Sequence, residues 1–189
     1  MKNEIVEAIT TKIAEKRVPG KRFILAVDGR CAAGKTTLAE ELKNRLGCVV
    51  FHTDDYFLRP EQRTKERLST PGGNFDRERF TGEILLPLSR GERTINYQKF
   101  DCKAGKLVTP PTVFVKDVVI VEGSYACHPD LCGFYDLKIF LSVEREEQLA
   151  RIAARNGDDG LKNFAQKWIP LEEAYFTHFG IAENCELIF

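Results

Sequence analysis

Apolar residues Ile5, Val6, Ile9 and Ile13 recur at helical spacing between Asn3 and Lys16, and Pro19-Gly20 ends the helix they predict. Phe23 to Val27 is instead a continuous apolar run bounded by turn residues, the pattern of a strand buried on both faces of a parallel sheet. Val49-Val50-Phe51, Val118 to Val121, Leu137 to Leu141 and Leu187 to Phe189 read the same way. Helical stretches lie between them at Lys35 to Arg45, Arg77 to Leu88, Arg145 to Arg155 and Leu171 to Phe179, with Pro170 suited to a first helical turn. This alternation predicts α/β architecture. From Gly91 to Lys116 the pattern changes to short β-like pieces with Gly105, Pro110 and Pro111, which predicts a hairpin or arm added to the sheet. With 189 residues and no internal repeat, one domain spanning 1–189 is expected.

Composition narrows the partner. Lys and Arg total 28 and Asp and Glu total 28, so no overall field holds nucleic acid or an anionic membrane surface, and the expected partner is small. The six cysteines form no CxxC pair, and no apolar leader precedes the charged start Met1-Lys2-Asn3-Glu4, so free thiols in a reducing cytoplasm are expected. No apolar run approaches the about 20 residues of a membrane-spanning helix. Whether the chain forms a homo-oligomer is left open.

The chemistry begins at Gly29-Arg30-Cys31-Ala32-Ala33-Gly34-Lys35-Thr36, which matches G-x-x-x-x-G-K-[ST] and lies after a buried strand and before a helix. Glycines let the backbone N–H groups face phosphate oxygens, and the following helix N-terminus adds a favourable dipole. Lys35 is expected to reach the β- and γ-phosphates of ATP, the Thr36 hydroxyl to join a Mg²⁺ shell, and Thr37 to make a further phosphate contact.

Phosphoryl transfer to a hydroxyl needs a carboxylate near the acceptor oxygen and another near the metal. Two strand ends supply candidates. In His52-Thr53-Asp54-Asp55-Tyr56-Phe57, Asp55 is the expected base, while Asp54 either holds a metal-bound water or caps the following segment. In Val118-Val119-Ile120-Val121-Glu122-Gly123, Glu122 follows four β-branched residues, where it could orient Mg²⁺; the bland alternative is a pair with a nearby Lys or Arg.

Together, Gly29 to Thr37, Asp54-Asp55-Tyr56-Phe57, Asn74-Phe75-Asp76, Tyr97, Glu122-Gly123, Arg151 and Arg155 resemble, in kind and order, the phosphoribulokinase/uridine kinase family of P-loop kinases. The resemblance covers the chain from about Arg22 onward. It implies a three-layer P-loop NTPase fold with a parallel five-stranded sheet, a β-hairpin arm at about 91–116 and a helical lid at about 151–168. It also implies Asp55 as the base for a nucleoside 5′-hydroxyl, Glu122 as a magnesium residue, ribose contact through Asp76 and base packing through Phe75. Tyr97 is implied as an acceptor-site tyrosine, and Arg151 and Arg155 as lid arginines on one helix face.

Local alternatives stand beside several of these roles. Asp76 could cap a helix, Tyr97 could be an arm core aromatic, and Arg151 and Arg155 could pair with Glu144, Glu146 or Glu147. The chain departs from the better-known uridine kinases in two places: no histidine stands beside Cys102 to read a pyrimidine, and Ala33 replaces a loop Ser. Trp168, next to Ile169, Pro170 and Leu171, is expected to be a core anchor, and His128 and His178 to be structural. The expected activity is transfer of the ATP γ-phosphate to uridine or cytidine. The alternatives are another small alcohol, such as nicotinamide riboside or pantothenate, and a non-catalytic nucleotide-binding regulator.

Overall fold

The computed structural model describes residues 2–189; Met1, the first residue of the charged start, lies outside them. Helix α1 (Lys2–Lys16) leads into strand β1 (Phe23–Gly29), which is followed by α2 (Lys35–Leu46) and β2 (Val49–His52). With β7 (Val118–Glu122), β8 (Leu137–Leu141) and β9 (Leu187–Ile188) these strands form a five-stranded sheet in the order β2-β7-β1-β8-β9, parallel throughout.

The apolar runs are continuous because both faces of the sheet are covered. Alternate residues Phe23, Leu25 and Val27 pack with Val6, Ile9 and Ile13 of α1 and Leu38, Ala39 and Leu42 of α2. Ile24 and Ala26 point the other way, into a cluster with Phe80, Ile84, Leu88, Tyr175 and Phe176. Each such fully buried aliphatic or aromatic side chain contributes about 1.5–3 kcal/mol. The result is the expected three-layer α/β architecture, with the ends of β1, β2 and β7 opening on one edge.

Three departures from the sequence expectation have local causes. The helix expected over residues 77–88 is divided into α4 (Arg77–Phe80), a π-turn (Thr81–Leu85) and α5 (Leu86–Ser89). Leu86 N–H donates to Thr81 O, five residues back, just before Pro87, which has no N–H to continue the ladder. Helix α7 (Arg145–Asn163) runs beyond Arg155, interrupted only at Gly157 with φ 69°, and a second π-turn (Phe164–Trp168) joins it to α8 (Ile169–Phe179). The short helices α3 (Lys65–Ser69) and α6 (Pro129–Cys132) are too brief for periodicity to reveal.

The arm consists of two separate antiparallel pairs, β3 (Thr94–Ile95) with β6 (Val113–Phe114) and β4 (Lys99–Asp101) with β5 (Lys106–Val108). At its tip Asp101 Oδ1 accepts from the N–H groups of Lys103 and Ala104, and Gly105 takes φ 63°. Among the described residues no helix is long and apolar enough to cross a membrane.

Gly29 has φ 134°, and a Cβ there would lie 2.0 Å from Leu141 O, whereas a Cβ on Gly34 (φ 98°) would meet nothing within 4 Å. Gly29→Ala is therefore expected to destabilise the fold by about 3 kcal/mol or more, and Gly34→Ala by only about 1 kcal/mol. Urea denaturation of the two variants measures the difference.

Candidate active site

The phosphate-binding loop leaves β1 through Gly29, uses positive φ at Ala32 (62°) and Gly34 (98°), and enters α2 at Lys35 with no side-chain cap on the first turn. Those uncapped N–H groups and the positive helix end form an anion cradle. Lys35 is nearly buried, and its Nζ donates to Gly29 O at 2.6 Å and Arg30 O at 3.0 Å, which holds its charge against the loop.

Residues far away in sequence grip this loop. Cys31 N–H donates to Glu172 Oε2 at 2.9 Å, and Ser124 Oγ donates to Glu172 Oε1 at 2.7 Å. Gln148 Nε2 donates to Cys31 O at 3.1 Å, and Arg30 makes a two-pronged pair with Glu173 at 2.8 and 3.0 Å. Beneath the loop, the wholly buried Asp28 accepts from Gly29 N–H, Cys127 N–H and the Tyr175 hydroxyl at 2.7, 2.8 and 2.9 Å. Burial raises the Asp28 pKa to about 6 despite these bonds and the nearby Lys35. Burial, with Glu172 adding to it, pushes the Cys31 thiol up to about 12, so it is inert.

The strand ends bring carboxylates to the loop. Glu122, almost fully buried at the end of β7, accepts from the Thr36 hydroxyl at 3.3 and 3.4 Å, and His52 Nδ1 lies 2.5 Å from its Oε1. The hydrogen bond to Glu122 raises the His52 pKa against the opposing effect of burial. Thr36 and Glu122 are hard oxygen donors facing the anion cradle, a set that fits Mg²⁺, which takes only one or two protein oxygens beside phosphates and water. Among the described residues no three His, Cys, Asp or Glu side chains form a metal cage of their own.

Asp54 and Asp55 part company in the short 3₁₀ turn Thr53–Tyr56. Asp54 lines the phosphate cleft, where solvent reaches it through the opening while protein crowds its other sides. That crowding raises its pKa, Glu122 and Glu172 add to the rise, and Lys35 opposes it. Asp55 does not line the cleft; its Oδ2 is buried and paired with Lys99 Nζ of the arm at 2.8 Å.

The cleft, about 500 Å³, brings together Cys31, Ala32, Gly34, Lys35, Thr36, Thr37, Asp54, Glu122, Arg151 and Arg155. Arg151 donates to Ala32 O at 2.9 Å and pairs with Glu147 at 2.5 Å, while Arg155 lies 5.5 Å over the Phe164 ring. Trp168, expected as core, also lines the cleft, with its ring 6.0 Å from that of Phe57.

Phe75, Asp76 and Tyr97 lie outside the cleft lining. Phe75 is buried against Phe80, and Asp76 is the N-cap of α4, accepting from Arg79 N–H at 3.3 Å. Tyr97 packs edge-on to Phe51 at 5.5 Å and stacks with Tyr56 at 6.3 Å. His128 is buried beside Phe179 with its pKa lowered to about 4 by burial, in keeping with a structural role.

Several site residues had escaped the sequence reading. Asp28 carried a usable signal, since an acid inside a buried apolar run must find partners. Glu172, Gln148 and Lys99 carried none, because their distance from the loop along the chain hides the contact.

No family model matches the chain. Over 156 residues it is 28% identical to uridine kinase-like protein 3 of Arabidopsis thaliana, an alignment covering 77% of this chain and 33% of that protein. The chain thus spans about a third of the length of the curated relatives it matches. A possible uridine kinase from Bacillus stearothermophilus superposes with TM-score 0.73 at 19% identity over 100% of both chains. The fold is that of the P-loop kinases. A proposed fructose transport system kinase from Silicibacter sp. TM1040 superposes on this chain equally well, with TM-score 0.74, 22% identity and 97% and 98% coverage. The resemblance to uridine kinase-like proteins carried by the motif order is borne out.

The raised Asp28 pKa has a stability consequence. The folded state holds this proton at pH values where the unfolded chain, with an ordinary carboxyl near 3.8, has released it. Stability is therefore expected to fall by on the order of 3 kcal/mol as pH rises from about 4 to about 6. Urea titrations of Asp28→Asn across that window are expected to lose this fall.

Proposed function

We propose that the protein is a Mg²⁺- and ATP-dependent kinase that transfers the γ-phosphate to the 5′-hydroxyl of a pyrimidine nucleoside. The observation that carries this reading is the convergence of Lys35, Thr36, Glu122 and Asp54 in one cleft at the strand ends, with Arg151 and Arg155 also lining it. The relatives with uridine kinase-like names support the acceptor class.

In this mechanism the loop N–H groups orient the triphosphate, and Lys35 with the lid arginines Arg151 and Arg155 offsets charge on the phosphoryl oxygens. Thr36 and Glu122 would hold Mg²⁺, which neutralises developing charge on the phosphates when bound. His52 orients Glu122 through their short contact. The hydroxyl proton passes to Asp54, the carboxylate that reaches the cleft, and the acceptor leaves as a phosphate monoester. Asp55, the base implied by family resemblance, joins the arm to the site through Lys99.

The test is ATP turnover with Mg²⁺ across uridine, cytidine, nicotinamide riboside, pantothenate and no acceptor. A nucleoside is expected to stimulate turnover, and Asp54→Asn to lower it by about 10²–10⁴. Asp55→Asn is expected to raise the acceptor KM more than it lowers kcat. The opposite result for the two variants returns the base role to Asp55. Absence of stimulation by every acceptor overturns the kinase reading.

A further inference from the structure

Phe57, Asn74 and Trp168, which line the phosphate cleft, also line a neighbouring second cavity of about 630 Å³. Its walls are largely apolar and aromatic, with the Phe57 and Trp168 rings tilted 38° to each other. Two cations, Arg63 and Lys167, line it, and no carboxylate does.

Among the described residues neither cation pairs with a side chain of opposite charge. Arg63 is anchored through Nε, which donates to Leu58 O at 2.9 Å, and its guanidinium lies 5.7 Å over the Phe100 ring. Lys167 Nζ lies 4.7 Å from the Trp168 ring centroid. Arg63 and Lys167 are both exposed residues, so their charges are open to solvent and to a ligand in the cavity. At the boundary of the two cavities, the Asn74 amide nitrogen is buried without a hydrogen bond in good geometry, although the Tyr125 hydroxyl is its neighbour.

We infer that this cavity receives the base of the acceptor and that the base carries a carboxylate, so the acceptor is an acidic nucleoside. The inference rests on the nucleoside kinase reading and deepens it. A planar ring lies against Trp168, whose face gives stacking area without demanding a particular base. The Asn74 amide donates to a ring oxygen or hydroxyl where the two cavities meet, and the ring carboxylate lies between Arg63 and Lys167. Arg in particular favours a carboxylate over an amide, because its planar fork matches two acceptor oxygens. An acceptor with a neutral base leaves both cations solvated and gains nothing from them.

The experiment compares phosphate transfer from ATP to two matched pairs, uridine with orotidine and nicotinamide riboside with nicotinate riboside, at low and high ionic strength. The acid of at least one pair is expected to have a kcat/KM at least about tenfold above its neutral partner, a preference that shrinks with salt because the cations are solvent-accessible. Arg63→Gln and Lys167→Gln are each expected to lower kcat/KM for the acid more than for its partner and bring the ratio toward one. Equal or better transfer to the neutral member of both pairs overturns this inference and leaves the nucleoside kinase reading standing. If none of the four accepts phosphate while pantothenate or another alcohol does, the nucleoside reading fails and this inference fails with it.

Discussion

The main chain of Gly29 runs so close to the carbonyl of Leu141 that no side chain fits between them, and the phosphate-binding loop starts from that contact. Gly29 pairs with Leu141 at the end of the β1 and β8 ladder, and the next N–H, on Arg30, donates to the same Leu141 carbonyl at 3.0 Å. The chain therefore turns off the sheet at a set height and angle. Asp28, one residue earlier, is driven wholly inside, where its carboxylate ties the base of the loop to Cys127 and Tyr175.

From there the loop is shared property of the sheet and the two last long helices. Gln148 and Arg151 of α7 reach Cys31 and Ala32, and Glu172 and Glu173 of α8 reach Cys31 and Arg30. A π-turn joins the last turns of α7 to α8 with no intervening loop, while the break at Gly157 separates those turns from the segment that presents Arg151 and Arg155. Both helices touch the loop backbone directly, through Arg151 on Ala32 O and Gln148 on Cys31 O from α7 and through Glu172 on Cys31 N–H from α8.

The 3₁₀ turn after β2 performs the second division of labour. Successive side chains in such a turn point about 120° apart. Asp54 thus faces the cleft, while its neighbour Asp55 faces the arm and meets Lys99. Gly123 makes room for this turn: a Cβ there would lie 2.3 Å from Thr53 Oγ1 and 3.2 Å from Asp54 Oδ1. Close packing between the ends of β2 and β7 is what places Asp54, Glu122 and Thr36 around one space.

The sequence by itself determined the parallel sheet, the loop and the strand-end acids, because each is written in contiguous residues: apolar runs for doubly covered strands, glycines and Lys35-Thr36 for the cradle, Glu122 closing a β-branched run. It left open whether Asp76, Tyr97 and Arg151 serve substrate or structure, and their packing sets Asp76 at a helix cap and Tyr97 among aromatics. Only the tertiary structure decided which of two adjacent aspartates reaches the cleft, that Trp168 lines it, and that Glu172, Gln148 and Lys99 converge on residues dozens of positions away. Those outcomes depend on the direction of a side chain from a turn or on long-range contact, and neither leaves a periodic or local trace in the order of amino acids.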